Sequence, residues 1–298
     1  MSAAAETPPP TGMNTVSPAN PVNPVNPAST RDAADLVNAV DAVDAGSPAS
    51  TVAPDHAARR QMLRLAATPV LIALALLALY LWVNGQHLDS IEQRTLNRSY
   101  LTTSVGQHLK LSFLAAAITL VIAVPLGIVL SRPWARFVAP FFLGLANIGQ
   151  AFPAIGLLVL LTMKLDVGVK VAMISIVSYS VLPVLRNTIV GLQEIDPAVV
   201  EAASGIGMRP GQILRKIELP LAVPVLMAGV RTTLVLAVGV ATLATFVNAG
   251  GLGDIIVNGL KLNRFPVQVT GAVLVMCIAF FVDWLARIAE EFTRPRGL

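Results

Sequence analysis

Few residues of this chain stand where they could make or break bonds. His56, His87 and His108 lie far apart in the sequence and read as exposed or interfacial side chains, not as metal ligands. The lone cysteine, Cys277, sits inside an apolar run, where a small buried hydrophobe is expected. It excludes an intrachain disulfide framework and a Cys-rich metal site. No G-x-x-x-x-G-K-[ST] run is present to cradle nucleotide phosphates. No pair of carboxylates, histidines or Ser/His neighbours falls at matching depth, so no catalytic residue and no resident cofactor is assigned, and an enzyme is not the expected class.

The polar residues that do form a pattern share one joint, DPAVVEAASGIGMRPGQILRKIELPLAVP, from Asp196 to Pro224. Asp196 is placed to cap a helix that begins at Pro197, and Glu201 lies where negative charge suits the helix dipole. Ala198, Val199, Ala202 and Ala203 keep that helix slim, and Gly205 and Gly207 let it end in a tight turn. Arg209-Pro210 opens a second helix with Ile213, Leu214 and Ile217 at helical spacing, which Leu219-Pro220 is expected to stop. The spacing predicts a compact helix-turn-helix projection with coupling helices at about residues 197–218.

The second group of polar residues lies inside apolar runs. Asn147, Gln150, Pro153, Tyr179 and Thr242, with Ser175, Ser178, Thr232 and Thr233, either line a path or let helices pack closely and bond across the contact. Pro153 frees backbone groups in mid-crossing that a cavity or a neighbouring side chain must satisfy, which favours Gln150 and Pro153 as path residues. Arg231, also a candidate path residue, needs a partner at its depth. Asp283 is the obvious acid, although Arg287 sits one turn from it, and the Arg231 pair is open to a structural or a gating reading.

The elements that must hold these groups follow from composition. The 298 residues are 55% hydrophobic and 13% charged, with a mean hydropathy of +0.71, far from a soluble enzyme. The net charge of +4 comes with no basic run, which sets nucleic acid aside. Residues 1–60, rich in Pro, Ala, Asn, Ser and Asp, cannot bury enough surface to fold. They are expected to be a disordered cytoplasmic tail, an inert leader or the product of an over-extended gene model sooner than a docking segment. From there about six crossings are expected: Leu65–Val83, Leu111–Ser131, Phe137–Met163, Val169–Leu192, Leu221–Ala249 and Pro266–Ala289. The fold class is an all-α polytopic membrane protein, with a first transmembrane helix and external loop over 61–99 and a core over 100–298. Arg59, Arg60, Arg64, Arg132, Arg136, Arg186, Arg209, Arg215, Lys216, Arg287, Arg294 and Arg296 fall on one side. They outnumber Arg94, Arg98, Lys110, Lys164, Lys170, Lys261 and Arg264 on the other, which places both termini and the projection in the cytoplasm.

Glu201-Ala202-Ala203, three residues, Gly207, nine residues, Ile217, one residue and Leu219-Pro220 reproduce the EAA-x3-G-x9-I-x-LP signature. With it the chain resembles the permease subunits of binding-protein-dependent ABC importers. ANIGQAFPAIGLL, YSVLPVLRNTIVGLQEIDP, NAGGLGDIIVNGL and FTRPRGL are similar to the glycine betaine/carnitine/choline (osmoprotectant) branch, over about Tyr100 to Leu298. Val247-Asn248 stands where that branch usually has Ile-Gly, which leaves substrate preference more open. The resemblance implies an inner-membrane permease that works by alternating access. ATP and Mg would be held by separate ABC ATPase subunits, on which the projection docks. A second permease copy or paralogue and an extracytoplasmic substrate-binding protein would complete the assembly. With only 5% aromatic residues the chain has little from which to build a cage for a quaternary ammonium, consistent with tight capture by that binding protein. Another small solute, such as an amino acid, is the alternative cargo.

Overall fold

The computed structural model describes residues 54–293, with side chains from residue 66 onward. Most of the expected tail, residues 1–53, and the last residues of FTRPRGL lie outside the described residues. Arg59–Leu298 forms one compact unit, separate from Met1–Ala58, of which only residues 54–58 are described.

Every regular element described is helical, as a chain without water to satisfy its backbone requires. α1 spans Pro54–Asn84, so its first turns lie inside the stretch read as tail. α2, Ser90–Thr95, is a short helix opened by a capping box. The Asp89 carboxylate accepts from the Ile91 and Glu92 N–H groups, and Glu92 accepts from that of Asp89. The same Asp89 pairs with Arg264 at 2.6 Å, tying this loop to the turn before Phe265. α3 spans Arg98–Leu130, α4 Ala139–Ala151, α5 Ala154–Thr162 and α6 Val169–Gln193. The charged joint holds α7, Pro197–Gly205, and α8, Pro210–Ile213. α9 spans Leu219–Ala241, α10 Leu252–Lys261 and α11 Phe265–Thr293.

Five unbroken spans are long and apolar enough to cross a bilayer, and α4 with α5 forms a sixth, bent by 95° at Phe152-Pro153. Packing shows that this bent pair runs from one end of the bundle to the other. Ala139 at its start shares a cluster with Leu130 and Ile189, at one end of α3 and α6, whereas Leu158 of α5 packs with Val171 and Ala172 at the opposite end of α6. The third expected crossing is thus present as two half-helices.

One expectation is extended and one needs correction. The helix of the second crossing begins at Arg98, ahead of Leu111, and its polar first turns are held by His108 against the Val238 carbonyl and by Gln107, which accepts from the Gly251 N–H. Leu219-Pro220 does not stop the second coupling helix. A π-turn, Leu214–Glu218, in which the Leu219 N–H reaches back to the Leu214 carbonyl, carries the chain straight into α9. The widened turn absorbs the register shift at Pro220, which has no N–H to offer.

The core is α6 sandwiched between α3 and α9. Small residues let the backbones close. A methyl on Gly127 of α3 would lie 2.6 Å from Thr188 of α6, and one on Gly229 of α9 would lie 3.0 Å from the Pro183 carbonyl. α11 packs on α9, and α10 packs on α11, with Leu252, Ile255 and Val267 buried between α10 and α11. α1 buries almost nothing and presents Leu71, Leu77 and Leu81 outward, as a helix facing hydrocarbon does.

Candidate functional site

The charged joint forms an elbow at one end of the bundle, and each bend in it has a local cause. The Asp196 carboxylate accepts from the Ala198 N–H at 2.9 Å and Pro197 takes the first helical position. At the other end of α7 the Met208 N–H donates to the Ala203 carbonyl and the Gly207 N–H to that of Ser204, the double bond pattern of a Schellman cap. Gly207 supplies the left-handed backbone this cap needs, with φ +85°. Gly205 is not in that region and a methyl there would touch nothing, so the expectation that both glycines make the turn holds for Gly207 alone. Arg209 then turns the chain, its N–H donating to the Gln212 carboxamide at 2.9 Å, and Pro210 opens α8.

Ala203 and Ile213 are the buried residues of α7 and α8. Glu201 and Ala202 are exposed, Val199 is 41% exposed and Ile206, at the tip, is 81% exposed. Arg209, Arg215 and Lys216 line a basic groove beside them. Glu201, Ala202 and Ile206 thus leave one side of α7 open to solvent. Ile217, Leu219 and Pro220 lie half-buried at the elbow's base.

Glu218 occupies the one variable position inside the tail of the signature. It is buried, and its two carboxylate oxygens accept from both terminal nitrogens of Arg132, at 3.0 and 2.6 Å. This fork is charge-assisted on both arms and holds the Arg132 guanidinium above its ordinary pKa. Arg132 had been legible only as one cation among several.

The interior candidates divide. Gln150, Pro153 and Tyr179 come together where α4 and α5 break against the middle of α6. Pro183 has no N–H, so the carbonyl of Tyr179, four residues earlier, has no partner in its own helix. Gln150 Nε2 donates to it at 2.8 Å, and the Tyr179 hydroxyl donates to the Phe152 carbonyl, left open at the break, at 2.8 Å. Two interrupted helices thus satisfy each other. Asn147 is exposed one turn earlier on α4. Thr233 donates to the Ser180 carbonyl, whereas Thr232, Ser178 and Thr242 bond within their own helices. Ser175 is fully buried with no partner for its hydroxyl.

Arg231 and Thr242 stand apart from this break. Asp283 of α11 takes Arg231 at 2.5 Å on one oxygen and Arg287 at 2.9 Å on the other, so the acid serves both cations at once. His108 corrects the reading of an exposed or interfacial side chain. It is fully buried, with Nε2 3.1 Å from the Val238 carbonyl. That carbonyl is open because the chain tightens to a 3-10 helix over Thr242–Val247, and the Thr242 N–H donates to Gly239 and Val240 instead. Among the described residues no group of three acidic, histidine or cysteine side chains could hold a metal ion.

The sequence profile of the family described as "Binding-protein-dependent transport system inner membrane component" matches residues 123–295. The chain is 38% identical to the glycine betaine/carnitine/choline transport system permease protein OpuCB of Bacillus subtilis, covering 68% of this chain and 92% of that one. It is 40% identical to the choline transport system permease protein OpuBB of the same organism, with the same coverage. Against the osmoprotectant import permease protein OsmY of Salmonella typhimurium the identity is 36%, over 72% and 89% of the two chains. Among solved structures, the inward-facing MetNI methionine ABC transporter matches with a TM-score of 0.58 at 25% identity, over 65% of this chain and 96% of that one.

Proposed function

We propose, from the premise that this chain belongs to the binding-protein-dependent transport system inner membrane components, that it is the permease subunit of an ATP-driven importer for glycine betaine, choline, carnitine or a related osmoprotectant. The relatives named for these solutes are 34–40% identical to it, which favours this cargo over an amino acid. The chain moves solute by alternating access and hydrolyses nothing. ATP and Mg reside on ABC ATPase subunits, a second permease copy or paralogue completes the pathway, and an extracytoplasmic binding protein delivers the solute. The protein sits in a bacterial cytoplasmic membrane with the elbow and both termini inside, which an even number of crossings permits.

The observation that carries this reading is the elbow itself. It is short, capped at both ends, buries Ala203 and Ile213, and offers Glu201, Ala202 and Ile206 outward. A part that transmits force must be stiff and must fit its partner closely, and the alanines allow that approach. Glu201 is placed to meet a cation of the ATPase. In proteoliposomes with its ATPase and binding protein, the chain should accumulate betaine only with ATP inside. Glu201→Lys should insert normally but separate hydrolysis from uptake. Uptake by the chain alone, or wild-type uptake by Glu201→Lys, contradicts the reading. A thermal-shift screen of the cognate binding protein separates osmoprotectants from other small solutes.

A further inference from the structure

The elbow is joined to the membrane bundle by more than its own chain. At its inner end the π-turn Leu214–Glu218 leads without a break into α9, and at the last residue of that turn the Glu218 carboxylate is clasped by Arg132. Arg132 lies 86 residues away, directly after α3, in the link that leads to the broken α4–α5 crossing. Arg215 and Lys216 are nearer to Glu218 in sequence, yet both are exposed, and the buried acid turns from them to the link. The pair is bidentate, so it fixes orientation as well as distance.

We infer that the Arg132–Glu218 clasp is a transmission link, in which Arg132 acts as a positioning residue that makes the α3–α4 link move with the base of the elbow. This rests on the reading of the elbow as the ATPase dock. Two crossings receive elbow motion through the backbone, α6 at its start and α9 at its end. α3 and α4 are not joined directly to it by the chain. Their other contacts with the moving parts lie along α6 and α9, such as Gly127 on Thr188, His108 against the Val238 carbonyl and Gln150 on the Tyr179 carbonyl, and none of these is made by the elbow's own residues. The clasp is the one ion pair among the described residues between the elbow's base and that link. The π-turn beside it is a weak point in the helical ladder, of the kind found where a helix flexes. With the clasp closed, a displacement of the elbow cannot be lost as a local unwinding of this turn. It reaches α9 and the α3–α4 link together, and through α4 the break at Gln150 and Tyr179.

The test uses the full complex of permease, ATPase and binding protein in proteoliposomes, with Arg132→Glu, Glu218→Arg, the double exchange, and the milder Glu218→Gln, which keeps one hydrogen bond. Three quantities are read: ATPase retained on the purified permease, hydrolysis stimulated by loaded binding protein, and solute moved per ATP. The single exchanges should retain the ATPase and hydrolyse ATP, while solute moved per ATP falls roughly tenfold, the size of a typical coupling between sites. Glu218→Gln should lie between them and wild type, and the double exchange should recover most of the loss. The inference is overturned if the single variants keep the wild-type ratio, or if they merely lose the ATPase or the folded protein in proportion to transport. It is equally overturned if the double exchange assembles yet transports no better than the singles. A wild-type complex that shows no ATP-dependent uptake would instead sink the reading of the elbow as a dock.

Discussion

Removing the donor at Gln150 should cost stability only while Pro183 leaves the Tyr179 carbonyl open. In Gln150→Leu the side-chain volume is nearly kept, but the 2.8 Å bond to the part-buried Tyr179 carbonyl disappears. Stranding a buried acceptor costs about 1–3 kcal/mol, and hydrogen bonds between membrane helices measure about 0.6–1.7 kcal/mol, so about 1–2 kcal/mol is expected. In a Pro183→Ala background, residue 183 regains an N–H four residues beyond Tyr179, and the helix can satisfy its own carbonyl. There Gln150→Leu should cost less than about 0.5 kcal/mol, giving a coupling near 1 kcal/mol. The assay is unfolding of the four proteins by SDS titration in mixed micelles, followed by helical circular dichroism. An equal cost of Gln150→Leu in both backgrounds refutes the claim that Gln150 repairs a proline-made gap.

Other consequences follow from the same contacts. Asp283→Asn leaves Arg231 and Arg287 both without an acid and should lower unfolding free energy by roughly 2–4 kcal/mol. Arg287→Gln, which removes a half-exposed partner, should cost under about 1 kcal/mol; the reverse order would contradict the shared pair. Gly207→Ala places a side chain at φ +85° and should lose about 1–2 kcal/mol. Gly205→Ala, which meets nothing, should be neutral or slightly stabilising by the same unfolding assay.

The elbow was legible because its structure is written in neighbours. An Asp before a Pro, a Gly in the left-handed position and an Arg-Pro restart act within a few residues, and they folded where the spacing placed them. The crossings were legible from length alone, as five unbroken spans and one bent pair, but the helix ends were not, since hydropathy is blind to polar turns such as Arg98–Lys110 that prolong an apolar helix. The Arg132–Glu218 clasp was not legible, because nothing local distinguishes Arg132 from Arg136 or chooses it over Arg215 and Lys216. Only the fold brings it to Glu218. His108 went wrong for the same reason, as its partner is a carbonyl released by tightening at Thr242. The Gln150–Tyr179 contact was half legible. Pro153 drew attention to freed backbone, but the second clue, a proline four residues after Tyr179, names the stranded carbonyl and could have been read from the sequence.

The central claim, that the elbow faces the compartment of an ATPase, is tested most directly at its tip. Ile206→Cys puts a reactive thiol at an 81% exposed position, and the single native cysteine, Cys277, is buried and silent. A membrane-impermeant maleimide should leave this variant unlabelled in intact cells, label it in inside-out vesicles stripped of ATPase, and be blocked again when the ATPase is restored. Labelling in intact cells, or labelling in vesicles that the ATPase leaves unchanged, contradicts the account.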